Sequence, residues 1–178
     1  TGRIGVPLLR EGVNYSGIDI SEEFLDTMSS KVQQYGLHPL LLKNYDMRSF
    51  NLMEKYDFIF IGFNSLLHLL TNNDIVSFLN SVKLHCHSNT IFCIDVFVPH
   101  PLFLYRPEIR YPTMEYKDSK TNELVYVDEI SNYNSETEIN QITWFYSSKT
   151  RKDFIKYKFN MRMLYPDTIN RLLIDSGF

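Results

Sequence analysis

Residues 15–25, Y-S-G-I-D-I-S-E-E-F-L, carry the pattern that decides the fold. A short, mostly apolar run over residues 15–20 predicts a strand, and Asp19 lies at its end. Ser21 is then a typical helix N-cap, followed by two glutamates where the helix dipole favours negative charge. Apolar side chains at helical spacing continue this helix to Gly36. A strand that passes directly into a helix is the unit of α/β proteins.

The same alternation of strands and helices covers residues 1–98. Residues 56–62 (Y-D-F-I-F-I-G) and 90–98 (T-I-F-C-I-D-V-F-V) are almost wholly apolar and predict strands buried on both faces. The remaining predicted elements are a short helix ending near Gly12, a strand over residues 40–43 and a helix capped by Asn72 or Asn73. Together they predict right-handed βαβ units. The fold class is therefore α/β, a Rossmann-like, doubly wound, mostly parallel sheet with helices on both faces.

The pattern changes after Pro99. Residues 99–178 contain fourteen of the 26 aromatic residues and eight of the twelve tyrosines. Three antiparallel strands are predicted, over residues 124–133, 139–147 and 154–164. Asp167 is expected to cap a final helix. We therefore expect one domain with three parts: a core over residues 1–98, an antiparallel β-rich insert after the strand at residues 90–98, over residues 99–165, and a helix returning to the core over residues 166–178.

Composition excludes several classes of protein. The 178 residues have a formal net charge of −3, which argues against a nucleic-acid partner. Cys86 and Cys93 give no disulfide framework and fit a reducing, cytoplasmic environment. The longest apolar stretch, residues 58–70, is too short to span a membrane. The triplet His85-Cys86-His87 lacks a fourth ligand at zinc spacing, so we assign no metal and expect surface histidines at a helix end.

Ligands of open parallel sheets bind beyond the carboxyl ends of the strands, so the residues there are the candidate site. Asp19 is placed to accept hydrogen bonds from both hydroxyls of a ribose, although a surface carboxylate has the same pattern. Asp46 with Met47 could read the edge of an adenine, or Asp46 could be a loop acid paired with Arg48. Gly2 precedes a helix, where backbone can approach a ligand or simply turn.

The segment after residues 56–62 is the fourth candidate. Phe63 and Asn64 leave the strand, and His68 follows within an apolar run. His68 could act as a base or bind a ligand, but such a histidine is more often only hydrogen-bonded in place.

Five segments in order resemble the class I S-adenosylmethionine-dependent methyltransferases, and within them a small-molecule subgroup. T-G-R-I-G-V-P-L-L is similar to the end of the family's glycine-rich loop, and Y-S-G-I-D-I-S-E-E-F-L to its second-strand acidic motif. Y-D-M-R-S-F resembles the adenine-contacting turn, and Y-D-F-I-F-I-G-F-N-S-L-L-H-L the fourth-strand motif. F-N-M-R-M-L-Y-P-D-T-I-N-R-L-L-I-D-S-G-F resembles the strand and helix before the family's last hairpin.

The resemblance implies a function and a set of site residues. The cofactor would be S-adenosyl-L-methionine, with S-adenosyl-L-homocysteine as product, and the partner a small-molecule methyl acceptor. The implied cofactor-binding residues are Gly2, Asp19, Ile20, Asp46, Met47, Phe63 and Asn64. Phe63, Asn64 and His68 would line the methyl-donor and acceptor side, with His68 or a tyrosine as the base where one is needed. Candidate acceptor contacts in the insert are Tyr105, Tyr111, Tyr133 and Trp144.

Two departures and two rival functions accompany this resemblance. The family's first strand and opening glycines would precede Thr1, and its final hairpin would follow Phe178, so we expect the natural protein to be longer at both ends. A nucleotide (NAD)-dependent oxidoreductase would also use Asp19, and a non-catalytic Rossmann-like binding module is the third possibility. The oligomeric state stays open.

Overall fold

The computed structural model describes residues 1–39 and 41–178. These residues divide into two compact units, one comprising Thr1–Asp57 with Ser77–Thr90 and the other Phe58–Val76 with Ile91–Phe178. The predicted division into core, insert and returning helix remains a prediction.

The first unit begins with alternating helices and strands, as the sequence predicts. In chain order they are α1 (Gly5–Arg10), β1 (Ser16–Asp19), α2 (Glu22–Gln34) and β2 (Leu41–Asn44). Leu40, the first residue of the predicted second strand, lies outside the described residues. Ser21 caps α2 as predicted, because its hydroxyl oxygen accepts the backbone N–H of Phe24 at 3.2 Å. A small apolar core joins the two helices through Val6, Leu9, Met28 and Val32.

The two strands of this unit pair in parallel. The register runs from Ser16 opposite Leu41 to Asp19 opposite Asn44. The carboxyl ends of β1 and β2 therefore lie side by side, and the residues that follow them emerge at one edge. This edge is where ligands of parallel sheets bind.

The second unit contains another parallel pair, β3 (Phe58–Ile61) and β4 (Ile91–Ile94). Both strands are shorter than predicted, and the expectation of burial on both faces is wrong. Phe58 and Ile91, which are partners in the register, are 55% and 64% exposed, and Cys93 is exposed as well. These side chains share one face of the pair, so that face is open while the opposite face is half-buried.

Within the described residues, the four parallel strands form two separate two-stranded sheets. The coarse prediction of an α/β protein is confirmed. One continuous, doubly wound sheet with helices on both faces remains a prediction.

Two helix caps differ from their prediction. The helix α3 (Asn72–Lys83) is capped by Thr71, whose hydroxyl oxygen accepts the Asp74 N–H at 3.1 Å, and not by Asn72 or Asn73. The last helix, α5 (Pro166–Asp175), has Tyr165 at its N-cap. Asp167 lies one residue inside this helix, where it adds favourable charge to the first turn. Among the described residues, no helix is long and apolar enough to cross a membrane.

The longest strands form a four-stranded antiparallel sheet in the second unit. After the short helix α4 (Pro101–Leu104), the strands β5 (Tyr111–Lys117), β6 (Leu124–Asn134), β7 (Ile139–Ser148) and β8 (Ile155–Arg162) pair in sequence order. The sequence predicted three of these strands and missed β5. Pro112 and a register shift between Pro112 and Met114 interrupt β5, and most of its side chains are exposed. The apolar alternation that identifies a strand is therefore weak there.

Candidate active site

Asp19 lies at the carboxyl end of β1 and is half-buried. Its Oδ1 accepts the backbone N–H of Ser21 at 2.9 Å. Its Oδ2 accepts no hydrogen bond from any residue that the structure describes. One oxygen thus fixes the carboxylate and the other remains available to hydroxyl donors, as a ribose contact needs.

The backbone next to Asp19 is tied to the end of β2. Asn44 Nδ2 donates to the carbonyl oxygens of Asp19 at 3.2 Å and Ile20 at 2.8 Å, and Tyr45 N donates to the Asp19 carbonyl at 3.2 Å. The side chain of Ile20 is 71% exposed. This leaves an apolar side chain uncovered beside a held carboxylate, an arrangement that suits a ligand with a flat apolar ring and a polar sugar.

Asp46 follows β2 by two residues, so it emerges at the same strand edge as Asp19. Its carboxylate accepts the backbone N–H of Arg48 at 2.9 Å and binds the Arg48 guanidinium, with Nη2 to Oδ2 at 2.6 Å. These bonds with Arg48 lower the pKa of Asp46 below its ordinary value. The pairing with Arg48 foreseen as the alternative is thus present, and the adenine contact of Asp46 and Met47 remains a prediction.

Gly2 has a structural reason to be glycine. Its φ of +77° lies in the left-handed region, and a Cβ there would lie 2.9 Å from Val6 Cγ2 and 3.0 Å from Met28 Cγ. The carbonyl of Gly2 accepts the Val6 N–H at 3.0 Å. Close packing of the first residues onto α1 and α2 therefore explains why position 2 is a glycine. The contact of Gly2 with a cofactor remains a prediction.

In the second unit, Phe63 and Asn64 both have left-handed backbone, with φ of 53° and 60°. Asn64 Oδ1 accepts the Phe97 N–H at 2.8 Å, and Asp95 Oδ2 accepts the Phe63 N–H at 3.1 Å. The Phe63 side chain is 55% exposed. Consecutive non-glycine residues in this region are uncommon and concentrate at functional sites.

Asp95 is a residue that the sequence reasoning missed. It follows β4 and holds the Phe63 turn, and its own N–H donates to the Ile61 carbonyl at 2.9 Å. The signal was available: an aspartate interrupts the apolar run T-I-F-C-I-D-V-F-V, as Asp19 interrupts G-I-D-I.

His68 ends a 3₁₀ turn over Ser65–His68 and is exposed. Its ring lies 6.3 Å from the ring of Phe159, centroid to centroid. Within the described chain its ring nitrogens make no hydrogen bond, so the alternative of a histidine bonded in place is not what the structure shows. Its role as a base remains a prediction.

Two of the candidate acceptor residues, Tyr105 and Tyr133, contact each other edge to face with ring centroids 5.6 Å apart. Burial, with a hydrogen bond to Tyr165, raises the pKa of Tyr133 well above its ordinary value. Tyr133 therefore stays protonated near neutral pH and can orient a ligand by hydrogen bonding, but it is a poor base.

The other two, Tyr111 and Trp144, surround a buried ion pair. Glu129, only 7% exposed, accepts the Trp144 Nε1–H at 2.8 Å and pairs with Arg106. The Arg106 guanidinium carbon lies 4.5 Å from the Tyr111 ring centroid. Sequence reasoning missed Arg106 and Glu129, although an acid at an inward position of β6, between Val127 and Ser131, is a signal of a buried partner.

The triplet 85–87 differs from its prediction at one residue. His85 is 1% exposed, not a surface histidine, while His87 is exposed and bonds Asp57 at 2.9 Å. Among the described residues, no group of three His, Cys, Asp or Glu is arranged to hold a metal ion.

A shallow cavity of about 410 Å³ in the first unit does not coincide with the candidate site. It is open, and it is lined by α2, the loop after it and β2. None of the residues singled out from the sequence lines it, so we give it no role.

Comparisons with known proteins agree with this α/β arrangement. The family model described as a methyltransferase domain matches residues 1–89. The putative methyltransferase YqeM of Bacillus subtilis (strain 168) is 35% identical over 97 residues, which are 54% of this chain and 38% of that protein. The chain thus spans well under half the length of this curated relative.

Solved structures show the same fold at low identity. An S-adenosylmethionine-dependent methyltransferase from Clostridium acetobutylicum ATCC 824 is 18% identical with a TM-score of 0.79, over 98% of this chain and 68% of that one. The sugar N-methyltransferase KedS8 from Streptoalloteichus sp ATCC 53650 is 12% identical with a TM-score of 0.69, over 91% and 62%.

The fold is that of an α/β protein, with carboxylates just after the ends of two parallel strands. The family match covers half of the chain, and the chain belongs to the methyltransferase domain family.

Proposed function

We propose that this protein is an S-adenosylmethionine-dependent methyltransferase that acts on a small-molecule acceptor. The observation that carries the proposal is Asp19, a fixed carboxylate with one available oxygen at the carboxyl end of a parallel strand. The family match and the fold of the solved relatives support it.

The residues of the first unit fit the adenosyl part of this cofactor. Asp19 is proposed to accept the ribose hydroxyls and Asp46 the adenine amino group, while Ile20 and Met47 supply apolar contact. The donor and acceptor types match, because a carboxylate only accepts and hydroxyl and amino groups donate. Gly2 is proposed to lie against the amino-acid part.

In this reaction the main role of the protein is to position the reactants. When bound, the cofactor supplies a methyl group on a sulfonium, which a nucleophile takes by in-line displacement, releasing S-adenosyl-L-homocysteine. Holding the reactants in line can lower a barrier by about 7–11 kcal/mol. His68, exposed and without a hydrogen-bond partner in the described chain, is proposed as the base for an acceptor that must lose a proton.

The acceptor is proposed to be a small organic molecule. Phe63, Asn64 and the residues Tyr105, Tyr111, Tyr133 and Trp144 are the proposed contacts on that side. Their aromatic rings with a few polar groups are typical of small-molecule sites. That KedS8 is a sugar N-methyltransferase supports this class of acceptor.

Titration calorimetry with S-adenosylhomocysteine and with NAD tests the proposal. We expect binding of S-adenosylhomocysteine and none of NAD. Binding of NAD alone would favour an oxidoreductase, and binding of neither a non-catalytic module. Screening small-molecule amines, alcohols and carbon nucleophiles for conversion of the cofactor then identifies the acceptor.

A further inference from the structure

His85 is the most deeply buried ionisable side chain outside the proposed site whose hydrogen bonds are described. Its Nε2 accepts the backbone N–H of Leu52 at 2.8 Å, and its Nδ1 lies 2.7 Å from the Ser81 carbonyl oxygen. Because the Leu52 amide can only donate, Nε2 must be the bare nitrogen and Nδ1 must carry the proton. The neutral ring is thus fixed as one tautomer between two backbone groups.

The imidazole joins the turn just after α3 to the loop that follows β2. Ser81, four residues earlier and in the last turn of α3, donates from its hydroxyl to the Arg48 carbonyl at 3.1 Å. The ring of Phe50 stacks on the His85 ring with centroids 4.8 Å apart. Two side chains at and just beyond the end of α3 therefore hold the loop at Arg48, Phe50 and Leu52.

The anchored loop is continuous with the proposed adenine contact. Arg48 donates from both its backbone and its guanidinium to the carboxylate of Asp46. The Ser49 N–H donates to the Asp46 carbonyl at 3.0 Å, which closes the turn. Fixing Arg48 and Leu52 thus limits the conformations open to Asp46 and Met47.

We propose that His85 is a positioning residue for the cofactor, acting through the turn over residues 46–49. This inference rests on the proposed function, because it assigns Asp46 to the adenine. Preorganising a loop removes the entropy cost of ordering it when the ligand binds. Loss of the Leu52 bond should therefore weaken S-adenosylhomocysteine binding by about 10-fold, the scale of one buried hydrogen bond.

The test compares two variants of His85 and a control variant of His87 with the wild type by titration calorimetry. His85→Phe keeps a ring against Phe50 but offers Leu52 no acceptor, whereas His85→Gln places a carbonyl oxygen near the Nε2 position. We expect about 10-fold weaker binding for His85→Phe and substantial recovery for His85→Gln. His87→Phe, at the exposed histidine two residues on, should bind as the wild type does.

A double-mutant cycle separates positioning from general stability. His85→Phe should add little to the loss of S-adenosylhomocysteine affinity caused by Asp46→Asn, because both act through one turn. Its loss of affinity should add fully to that caused by Asp19→Ala. Hydrogen exchange should show the Leu52 amide protected in the wild type and exposed in His85→Phe. If His85→Phe does not fold, His85→Asn takes its place. Asparagine keeps an N–H donor to the Ser81 carbonyl oxygen and loses only the acceptor for the Leu52 N–H.

The outcomes are distinct. No binding of S-adenosylhomocysteine by the wild type overturns the proposed function itself. Wild-type binding with unchanged affinity in His85→Phe or His85→Asn, or full additivity with Asp46→Asn, overturns only the role of His85.

Discussion

The parallel strands and the antiparallel sheet of this protein differ in how they are stabilised. Each of the strands β1 to β4 has four residues and one parallel partner. The antiparallel strands have seven to eleven residues, and β6 alternates between buried and half-buried positions. A two-stranded pair is marginal by itself, whereas four strands with a packed face can be stable.

The difference matches a difference in proposed role. The ends of the parallel strands carry the carboxylates and the left-handed turn, where part of the backbone hydrogen bonding goes to side chains. In the antiparallel sheet, the buried carboxylate of Glu129 accepts hydrogen bonds from both Arg106 and Trp144. Ligand-binding segments are drawn from the less stable parts of proteins, so we expect the parallel strands to open first.

The largest effect is expected inside the antiparallel sheet. Glu129→Ala removes a buried carboxylate and leaves the Arg106 guanidinium and the Trp144 indole N–H without it. Breaking a buried ion pair in this way costs about 3–5 kcal/mol of unfolding free energy. Urea unfolding followed by the fluorescence of Trp144, the one tryptophan of the sequence, measures it.

The matched control is Glu115→Ala on β5, whose side chain is exposed. It should change the unfolding free energy by less than about 0.5 kcal/mol. Equal losses of unfolding free energy in Glu129→Ala and Glu115→Ala would contradict the claim that the Glu129 network stabilises the sheet.

A smaller effect is expected at the end of β3. Asn64→Ala loses the bond to the Phe97 N–H and places alanine in left-handed backbone, which costs about 1–3 kcal/mol in total. Asn64→Gly loses the bond but tolerates the backbone, so it should be the less destabilising variant. Chemical denaturation ranks the two, and the reverse order would show that the turn is not strained.

The smallest effect is expected at the partly exposed pair of Arg110 and Asp153. Hydrogen bonds from Arg110 lower the pKa of Asp153 below its ordinary value. The stabilisation is therefore complete above the unfolded pKa of about 4 and is lost as the pH falls through the lowered folded value.

Asp153→Asn keeps the left-handed backbone at this position, for which asparagine is suited. We expect a slightly lower Tm at pH 7 and a difference from the wild type that vanishes at low pH. A difference in Tm that grows as the pH is lowered would contradict the direction assigned to the pKa shift of Asp153.

Local patterns made much of the fold predictable. The strand and helix over residues 15–36, with the Ser21 cap, follow from capping chemistry and periodicity that act within a few residues. Likewise, the three strands β6, β7 and β8 follow from alternation and turn residues. The sequence did not predict β5, because Pro112 and the exposed side chains of this strand break the alternation of apolar and polar residues.

Contacts distant in sequence were not predictable in the same way. Burial of His85 depends on Leu52, 33 residues away, and the Glu129 network depends on Arg106, 23 residues away. The exposure of one face of β3 and β4 likewise depends on which strands pair. The apolar runs alone do not specify that pairing. The position of Asp19 was predictable because a strand end is a local feature.

The central claim, that Asp19 holds the ribose of the cofactor, has one direct test. Calorimetry would compare S-adenosylhomocysteine with its 2′-deoxy analogue, on the wild type and on Asp19→Ala. We predict that the wild type prefers the ribose form by about 10-fold, the scale of one charged hydrogen bond, and that Asp19→Ala shows no preference. The same preference in both proteins, or none in the wild type, would contradict the claim.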